Sequence, residues 1–561
     1  MSKPLAVLTA LYLSFSCALA TAQTIGQTPE TVLINGRIVT LDAAGSVREA
    51  LAVRDGKIMA LGRSADIRKL AGRQTKVVDL GGRTVIPGLI DSHMHAVRAA
   101  MFFATEVNWI DTRSIPEAMR RLSDAARKRP GQWLIVAGGW TPEQFKERRR
   151  PTQAEIVGAA PDNPVYVQLF YGAALLSPTG FKTLNITSDA DVPPRGKLER
   201  DAQGNATGWI SGDNPTITAL FDKLPTPTFE QKVEGTKTFF RELNRLGLTG
   251  VGDPGGFNMT PADYLPLFQV WQDRQLTVRV VYSMFAQRAG RELEDFQNLT
   301  QLVPMGFGDG MLRFNGIGES VTWGMYNNDN PTEAQKEQLY QVARWAAGRG
   351  MTLTIHWNND RSAGQLLDVF ERVDRERPIA PLRWSIAHLN DVSTANLKRM
   401  KALNVGWTMQ DAMYFSGDSF TKDRGMEAAK RTPPIMTALR LGVAVGGGTD
   451  AHRVMSYNPF VSLQWMLDGR TVAGNAMRGA EETPSREQAL RLYTEGSAWF
   501  THDEQRRGSL QPGRLADLAV LSKDFLRVPL DEIGGIESLL TMVDGRIVYA
   551  SGPYQALEAR R

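Results

Sequence analysis

Five of the six histidines in the 561-residue sequence lie at or shortly after apolar, strand-like segments. His93 and His95 follow one such segment, and His356 and His388 each follow another. Asp450 follows a fourth segment that ends in three glycines. Because the carboxyl ends of strands in a parallel barrel open onto one face, we expect these side chains to meet there. Neutral imidazoles combined with a carboxylate suit Zn²⁺ or a similar divalent metal.

The spacing within these segments adds detail to this expectation. His93 and His95 are two positions apart, so on a strand both side chains lie on one face and can bind the same ion. Other residues beside the same segments are candidates for contact with a substrate, and structural or core packing is the alternative for each of them. These candidates are His452, Trp140, Trp323 and Trp357.

The long middle of the chain alternates helical and strand-like segments, which positions the candidate residues. In one clear case, Thr332 can cap a helix, and Gly348 and Gly350 end it before the next apolar strand. Repeated helix-then-strand units predict a parallel α/β architecture. Residues from about 141 to 224 interrupt this rhythm with many prolines and glycines, so we interpret them as an insertion.

Both ends of the chain are rich in short strands instead. The dipeptides Asn35-Gly36, Asp55-Gly56 and Asp544-Gly545 are strong signals for hairpin turns between such strands. The two β-rich ends predict one small β-sandwich domain, built from residues 23–87 and 506–561. The barrel would then occupy residues 88–505.

The composition and the first 22 residues indicate which partners and which cellular location to expect. With 65 Lys and Arg against 60 Asp and Glu, the net charge of +5 is too small to indicate a nucleic-acid partner. Residues 1–22 have the pattern of a signal peptide, with Lys3 before an apolar stretch and small residues at its end. A lipid anchor at Cys17, the single cysteine, is the alternative. We therefore expect a secreted, periplasmic protein without stable membrane insertion after the signal is removed.

Two motifs at the borders of the predicted barrel resemble a known superfamily. Residues 85–95, VIPGLIDSHMH, resemble the opening metal motif of the amidohydrolase superfamily, and residues 508–518, GSLQPGRLADL, resemble its return to a small β domain. Three shorter motifs are similar to the amidohydrolase-3 branch, which includes N-substituted formamide deformylases: Gly138-Gly139-Trp140, residues 252–255 and Thr449-Asp450. The resemblance implies a distorted (β/α)8 TIM barrel and hydrolysis of carbon–nitrogen bonds by a metal-activated water.

The same resemblance implies roles for individual residues. His93 and His95 match the metal ligands of the first strand, His356 that of the fifth and His388 that of the sixth. Asp450 matches the aspartate of the eighth strand, which contacts metal and shuttles the proton in catalysis. The implied cofactor is Zn²⁺, as one or two divalent ions.

The fourth strand departs from the pattern of the relatives. They often carry a lysine there, carboxylated to bridge two metals, whereas this chain has Gly318 followed by Glu319. A glutamate offers two carboxylate oxygens directly, so our hypothesis is that Glu319 binds or bridges metal. The alternative is a carboxylate at the surface or behind the ligands, and the number of metal ions stays open.

These features together predict a metal-dependent hydrolase of a non-peptide carbon–nitrogen bond in an amide, formamide or cyclic amide. A metal-dependent lactonase or esterase is the alternative on the same scaffold, and a non-catalytic binding protein is a third reading. The expected partner is a small amide-type substrate, and formation of a homo-oligomer is left open.

Overall fold

The structure is a computed structural model that describes residues 28–357 and 359–558. The predicted signal peptide, residues 1–22, lies outside the described residues, so it and the periplasmic location stay predictions. Within the described ranges, no helix combines the length and the apolar character that crossing a bilayer requires.

The strands are numbered in chain order: β1 (Thr31–Ile34), β2 (Arg37–Val39), β3 (Val47–Arg48), β4 (Ala50–Arg54), β5 (Lys57–Gly62), β6 (Lys76–Asp79), β7 (Thr84–Pro87), β8 (Leu89–Asp91), β9 (Leu134–Val136), β10 (Val165–Leu169), β11 (Ala173–Leu176), β12 (Lys197–Arg200), β13 (Ala206–Ser211), β14 (Leu248–Asp253), β15 (Arg279–Met284), β16 (Leu312–Ile317), β17 (Thr354–Trp357), β18 (Ser385–His388), β19 (Gly406–Gln410), β20 (Val445–Gly448), β21 (Leu518–Leu521), β22 (Ser538–Val543) and β23 (Arg546–Ala550).

The helices are α1 (Ser64–Arg68), α2 (Ala96–Phe103), α3 (Ile115–Lys128), α4 (Gln153–Ala159), α5 (Pro178–Thr183), α6 (Asn214–Phe221), α7 (Phe229–Arg245), α8 (Pro261–Gln272), α9 (Glu292–Leu299), α10 (Glu333–Gly348), α11 (Asp360–Glu376), α12 (Thr394–Leu403), α13 (Ala412–Arg424), α14 (Met426–Ala429), α15 (Ile435–Leu441), α16 (Pro459–Asp468), α17 (Arg486–Arg491) and α18 (Ser497–Phe500).

Eight strands of the middle region form two parallel sheets. Their orders are β16-β15-β14-β8 and β17-β18-β19-β20, and every pairing within them is parallel. Helices between consecutive strands cover these sheets, and their buried residues share one large apolar core with the strands. The mixed α/β class predicted from the alternating pattern is therefore confirmed.

Helix α10 shows how the local sequence specifies these units. The Thr332 side chain accepts a hydrogen bond from the Gln335 N–H, as expected for an N-cap. Its residues Leu339, Val342 and Ala346 are fully buried in the large core. The helix predicted from capping and spacing is present with the expected bounds.

The two ends of the chain pair with each other. The sheet with the order β23-β22-β21-β7-β2-β3 combines strands from both ends, and β5-β4-β1-β6 forms a second sheet. Residues from both sheets, such as Leu51 and Leu540, share a second apolar core.

One of the predicted hairpins is wrong. β1 pairs with β4 and β6, and β2 pairs with β3 and β7, so Asn35-Gly36 links two different sheets. Asn35 has a positive φ but Gly36 does not, whereas the common two-residue hairpin turn needs positive φ at both positions. Asp55-Gly56 and Asp544-Gly545 have positive φ at both positions and join antiparallel strands as predicted.

The region interpreted as an insertion contains most of a further sheet. Its order is β12-β13-β11-β10-β9, and β9 enters it from the segment before Gly138. A separate apolar core, with Trp109, Phe145 and Trp209 among its members, packs beside this sheet.

A buried ion pair links the middle of the chain to its C-terminal strands. Arg279 in β15 contacts Asp517 with two bonds, Nε to Oδ2 at 2.7 Å and Nη2 to Oδ1 at 3.0 Å. Both side chains are almost fully buried, at 4% and 1% exposure. We expect Arg279→Met to lower the free energy of unfolding by about 3 kcal/mol, because the buried carboxylate of Asp517 loses its bidentate partner and keeps only Arg507, at 3.9 Å, as a cation. Urea titration measures this change.

The matched control is Arg344→Met, which removes an exposed pair with Glu376. Exposed ion pairs contribute less than about 1 kcal/mol, so this variant is expected to unfold almost like the parent. Equal unfolding midpoints for the two variants would contradict the structural role of Arg279.

Candidate metal centre

Four histidines and two acidic residues converge at the carboxyl ends of the parallel strands. His93 and His95 follow β8, and Glu319 follows β16. The others are at the ends of β17, β18 and β20: His356, His388 and Asp450. The structure thus brings together all six residues that the sequence singles out as candidate ligands. Their meeting explains how positions hundreds of residues apart can act on one ion.

The candidate ligand atoms form three overlapping groups. They are His93, His95 and Glu319; Glu319, His356 and His388; and His93, His388 and Asp450. Within each group the atoms lie within 4.8 Å of one another. Glu319 belongs to two of these groups.

The Glu319 carboxylate faces two pairs of histidines. Its Oε2 lies 3.3 Å from His95 Nε2, and its Oε1 lies 3.7 Å from His93 Nε2. The same Oε1 lies 3.2 Å from His388 Nε2 and contacts His356 Nδ1. Burial opposes ionisation of Glu319, but the surrounding imidazoles outweigh it and hold its pKa well below the usual range.

Asp450 lies on the other side of the first histidine pair. Its Oδ1 is 3.1 Å from His95 Nε2 and 3.5 Å from His93 Nε2. Burial raises the pKa of this carboxyl, but hydrogen bonds and charges of the histidines lower it more, so the net shift is downward. Both acidic side chains are therefore carboxylates at neutral pH, which is the form that binds metal.

The surroundings of the buried Nε2 of His93 indicate whether these residues suit a metal. Its Nε2 is inaccessible to solvent and has no hydrogen-bond partner in the part of the chain that the structure describes. An unpaired buried polar atom is costly, and coordination by a cation would satisfy it. With two carboxylates and three further imidazoles around it, this donor set fits Zn²⁺ or a similar ion.

Neighbouring groups fix the orientation of the ligands. His95 Nδ1 contacts the carbonyl oxygen of Gly255, which directs Nε2 toward the carboxylates. Asp91 accepts hydrogen bonds from the His93 N–H at 2.9 Å and from Thr449 Oγ1 at 2.7 Å, so it ties the first strand to the last. Burial raises the pKa of Asp91 to about 7, although these hydrogen bonds oppose the shift.

Two glycines allow the backbone to come this close. A Cβ at Gly448 would lie 2.9 Å from the backbone nitrogen of His93. A Cβ at Gly318 would lie 2.4 Å from Thr354 Cγ2 and 3.1 Å from the carbonyl oxygen of Pro254. A side chain at position 318 would therefore force Thr354 to move, and the replacement of the relatives' lysine by Glu319 stays a hypothesis.

Comparison with known proteins identifies the family of this chain. The sequence model described as the amidohydrolase family matches residues 76–549. The chain belongs to the amidohydrolase family. Among curated relatives, N-substituted formamide deformylase from Arthrobacter pascens is 24% identical over 93% of this chain and 99% of its own length. The putative amidohydrolase YtcJ from Bacillus subtilis is 22% identical over 92% of this chain and 98% of its own length.

Solved structures of similar fold are hydrolases as well. An uncharacterised metal-dependent hydrolase from Pyrococcus horikoshii has a TM-score of 0.65 and 22% identity, covering 90% of this chain and 99% of its own. Atrazine chlorohydrolase TrzN from Arthrobacter aurescens, in complex with zinc, has a TM-score of 0.53 and 16% identity, covering 93% and 95%. The predicted membership of the amidohydrolase superfamily is thus confirmed.

The predicted substrate-binding residues have different surroundings. Trp323 contacts Phe257, with ring centroids 5.6 Å apart, in an aromatic group near His356. Trp140 and Trp357 are buried in apolar cores, where the Trp140 indole donates a hydrogen bond to a backbone carbonyl. These two side chains therefore have the packing that the alternative interpretation expects.

His452 is held by an acidic residue that the sequence analysis did not single out. Its Nε2 lies 2.7 Å from Glu106 Oε2, and Arg453 Nη1 lies 3.3 Å from the other oxygen of the same carboxylate. Burial opposes ionisation of Glu106, but the charge of Arg453, the contact with His452 and the charge of Arg98 outweigh it and lower its pKa. Glu106 is more than 300 residues away in sequence, and no spacing pattern connects it to His452.

Proposed function

We propose that this protein is a metal-dependent hydrolase that cleaves a non-peptide carbon–nitrogen bond in an amide, formamide or cyclic amide. The observation that carries the proposal is the convergence of four imidazoles and two carboxylates around the unpaired Nε2 of His93. The relationship to an N-substituted formamide deformylase over nearly the whole chain supports the type of bond.

The residues of the centre would divide into two ligand sets that share Glu319. His93 and His95 would form one set, and His356 and His388 the other. When bound, one or two divalent ions would lower the pKa of a water molecule toward about 7 and supply a nucleophile at neutral pH. The membership of Glu319 in both groups favours two ions, with Glu319 as a ligand that both would share.

Asp450 would move the proton in this reaction. It is a carboxylate at neutral pH, and it lies beside His93 and His95 at the end of the last parallel strand. From there it would accept the proton of the attacking water and pass it to the leaving nitrogen. Amine leaving groups need this proton, because an amide anion is a poor leaving group.

We also infer that the eight parallel strands form one distorted (β/α)8 barrel. Two contacts between the sheets support this: Ser92 N–H donates to Gly447 O at 2.9 Å, and Ile317 N–H donates to Thr352 O at 3.0 Å. The shared core of the two terminal sheets likewise supports a β-sandwich from residues 23–87 and 506–561. The barrel boundaries, 88–505, and the insertion, 141–224, remain part of this proposal.

The test is an activity screen of the purified protein after zinc has been restored. N-formyl and N-acyl amides are compared with lactones and esters, and a chelated sample of the same preparation is the control. We expect amide turnover that chelation abolishes and zinc restores, with at least one ion per chain by elemental analysis. Turnover of esters or lactones alone would support the alternative hydrolase, and neither metal nor turnover would support a binding protein.

A further inference from the structure

The side chain of Arg98 is buried at the wall of a cavity. It lies on α2, three residues after His95, and is 9% exposed. The cavity has a volume of about 250 Å³. Among the described residues, the Arg98 guanidinium takes part in neither a hydrogen bond nor an ion pair. Burying an unpaired charge is costly, so a ligand that supplies an anion would stabilise this site.

The other cations at this cavity already have partners. Lys232 Nζ lies 3.0 Å from Asp263 Oδ1. Arg453 Nη1 lies 3.3 Å from Glu106 Oε1. Arg98 is thus the basic residue of this cavity wall that remains available to a ligand.

Four aromatic side chains are among the other lining residues, and one of them lies on the side of the metal centre. Phe257 lines the cavity and contacts Tyr326, with ring centroids 5.6 Å apart. Tyr326 in turn stacks on His356 at a centroid distance of 4.5 Å. Phe257 and Tyr326 therefore form an aromatic layer between this wall of the cavity and the candidate ligand His356.

Two acidic residues line the cavity, and one of them is the partner of Lys232 described above. Asp222 accepts a hydrogen bond from Asn258 Nδ2 at 3.1 Å, and burial raises the pKa of its carboxyl. No oxygen of this side chain lies within ion-pair distance of the Arg98 guanidinium. Asp222 therefore does not pair with Arg98, and the buried carboxylates of Glu106 and Asp253, which feel the charge of Arg98, also lie beyond ion-pair distance of it.

We propose that Arg98 binds a carboxylate of the substrate, so that the substrate class is a small amide that also carries a carboxylate and an apolar or aromatic group. The planar guanidinium matches a carboxylate with two parallel hydrogen bonds. The scissile amide would then extend past the aromatic layer to the centre. The choice of an amide rests on the proposed hydrolase function, whereas carboxylate binding at Arg98 does not depend on it.

Binding of compounds that cannot be hydrolysed tests the anion site directly. The probes are 3-phenylpropionate, its neutral counterpart 3-phenylpropanol, and benzylphosphonate, titrated into the zinc-loaded protein by calorimetry. We expect 3-phenylpropionate to bind at least about tenfold more tightly than the alcohol, in line with a charge-assisted bidentate contact. Arg98→Met should reduce this preference to less than about threefold, and Arg98→Lys should retain part of it.

Lys232→Met is the matched control, because it removes a cation of the same cavity that is already paired with Asp263. The preference for the carboxylate should persist in this variant. Equal binding of 3-phenylpropionate to the parent and to Arg98→Met would overturn the proposal, because the carboxylate would then bind elsewhere, for example at the metal. Tighter binding of benzylphosphonate than of 3-phenylpropionate would overturn the choice of a carboxylate.

An activity measurement separates this proposal from the proposed function. N-formylphenylalanine is compared with N-formylphenylalaninamide, which differs only in the lost charge. We expect the carboxylate substrate to have the higher kcat/KM, and Arg98→Met to remove the difference mainly by raising KM. If neither compound is hydrolysed although the binding preference depends on Arg98, the anion site stands and the hydrolase proposal fails.

Discussion

Asp450→Asn is expected to lower kcat by about 10²- to 10⁴-fold while metal stays bound. Asparagine keeps an oxygen in the position that faces His93 and His95, so the ligand geometry is largely retained. It cannot accept a proton as the carboxylate does, so the attacking water loses its base and the leaving nitrogen loses its acid. Turnover of the best amide from the screen and elemental analysis of the same sample measure both effects.

The control for this variant is Asp374→Asn on helix α11, where the carboxylate accepts a hydrogen bond from the Ile379 N–H. It makes the same chemical change away from the centre and should turn over like the parent. A full rate in Asp450→Asn would show that another group moves the proton. Loss of metal from this variant would show that Asp450 acts chiefly as a ligand.

Glu319→Ala is expected to remove metal as well as activity. Glu319 is shared by two groups of candidate ligands, so its loss weakens both. Residues that merely orient metal ligands change affinity or activity by about 10- to 100-fold, and a bridging ligand should exceed that range. Elemental analysis should find at least one ion fewer per chain than in the parent, with turnover reduced in parallel.

Glu319→Gln separates the charge of this residue from its volume. It fills the same space but offers one neutral oxygen, so we expect metal content between those of the parent and Glu319→Ala. Glu482→Gln is the matched control, since Glu482 is a buried glutamate that accepts a hydrogen bond from the Thr437 N–H at 2.9 Å. Full metal occupancy and a full rate in Glu319→Ala would remove Glu319 from the centre.

Much of the fold was predictable because its signals are local. The cap at Thr332 and the apolar face of α10 predicted a helix within a few residues of its bounds. The turn at Asp544-Gly545 was predicted for the same reason, because the dipeptide itself sets the backbone angles of the turn. Asn35-Gly36 shows the limit of such signals, since the strands on either side join different sheets.

Five of the six candidate ligands were predictable because they carry recognisable chemistry at strand ends, and Glu319 only because of the resemblance to relatives with a lysine on the fourth strand. Other residues near the site, which lack that signal, were not predicted from the sequence. Glu106 is an ordinary glutamate in the sequence, and only the fold brings it to His452 and Arg453. Arg98 lies three residues after His95 and was not singled out, because a helical arginine is usually solvated, and its burial depends on the cavity around it.

The sequence by itself determined which residue types are available and the end of which strand each one follows. The tertiary structure alone decided that Glu319 faces both histidine pairs, that a Cβ at position 318 would meet Thr354, and that Arg98 lines a cavity without a hydrogen bond or an ion pair. The physical reason is that covalent order sets spacing along the chain, whereas burial, charge balance and the direction of a ligand atom depend on segments that meet only when the chain packs.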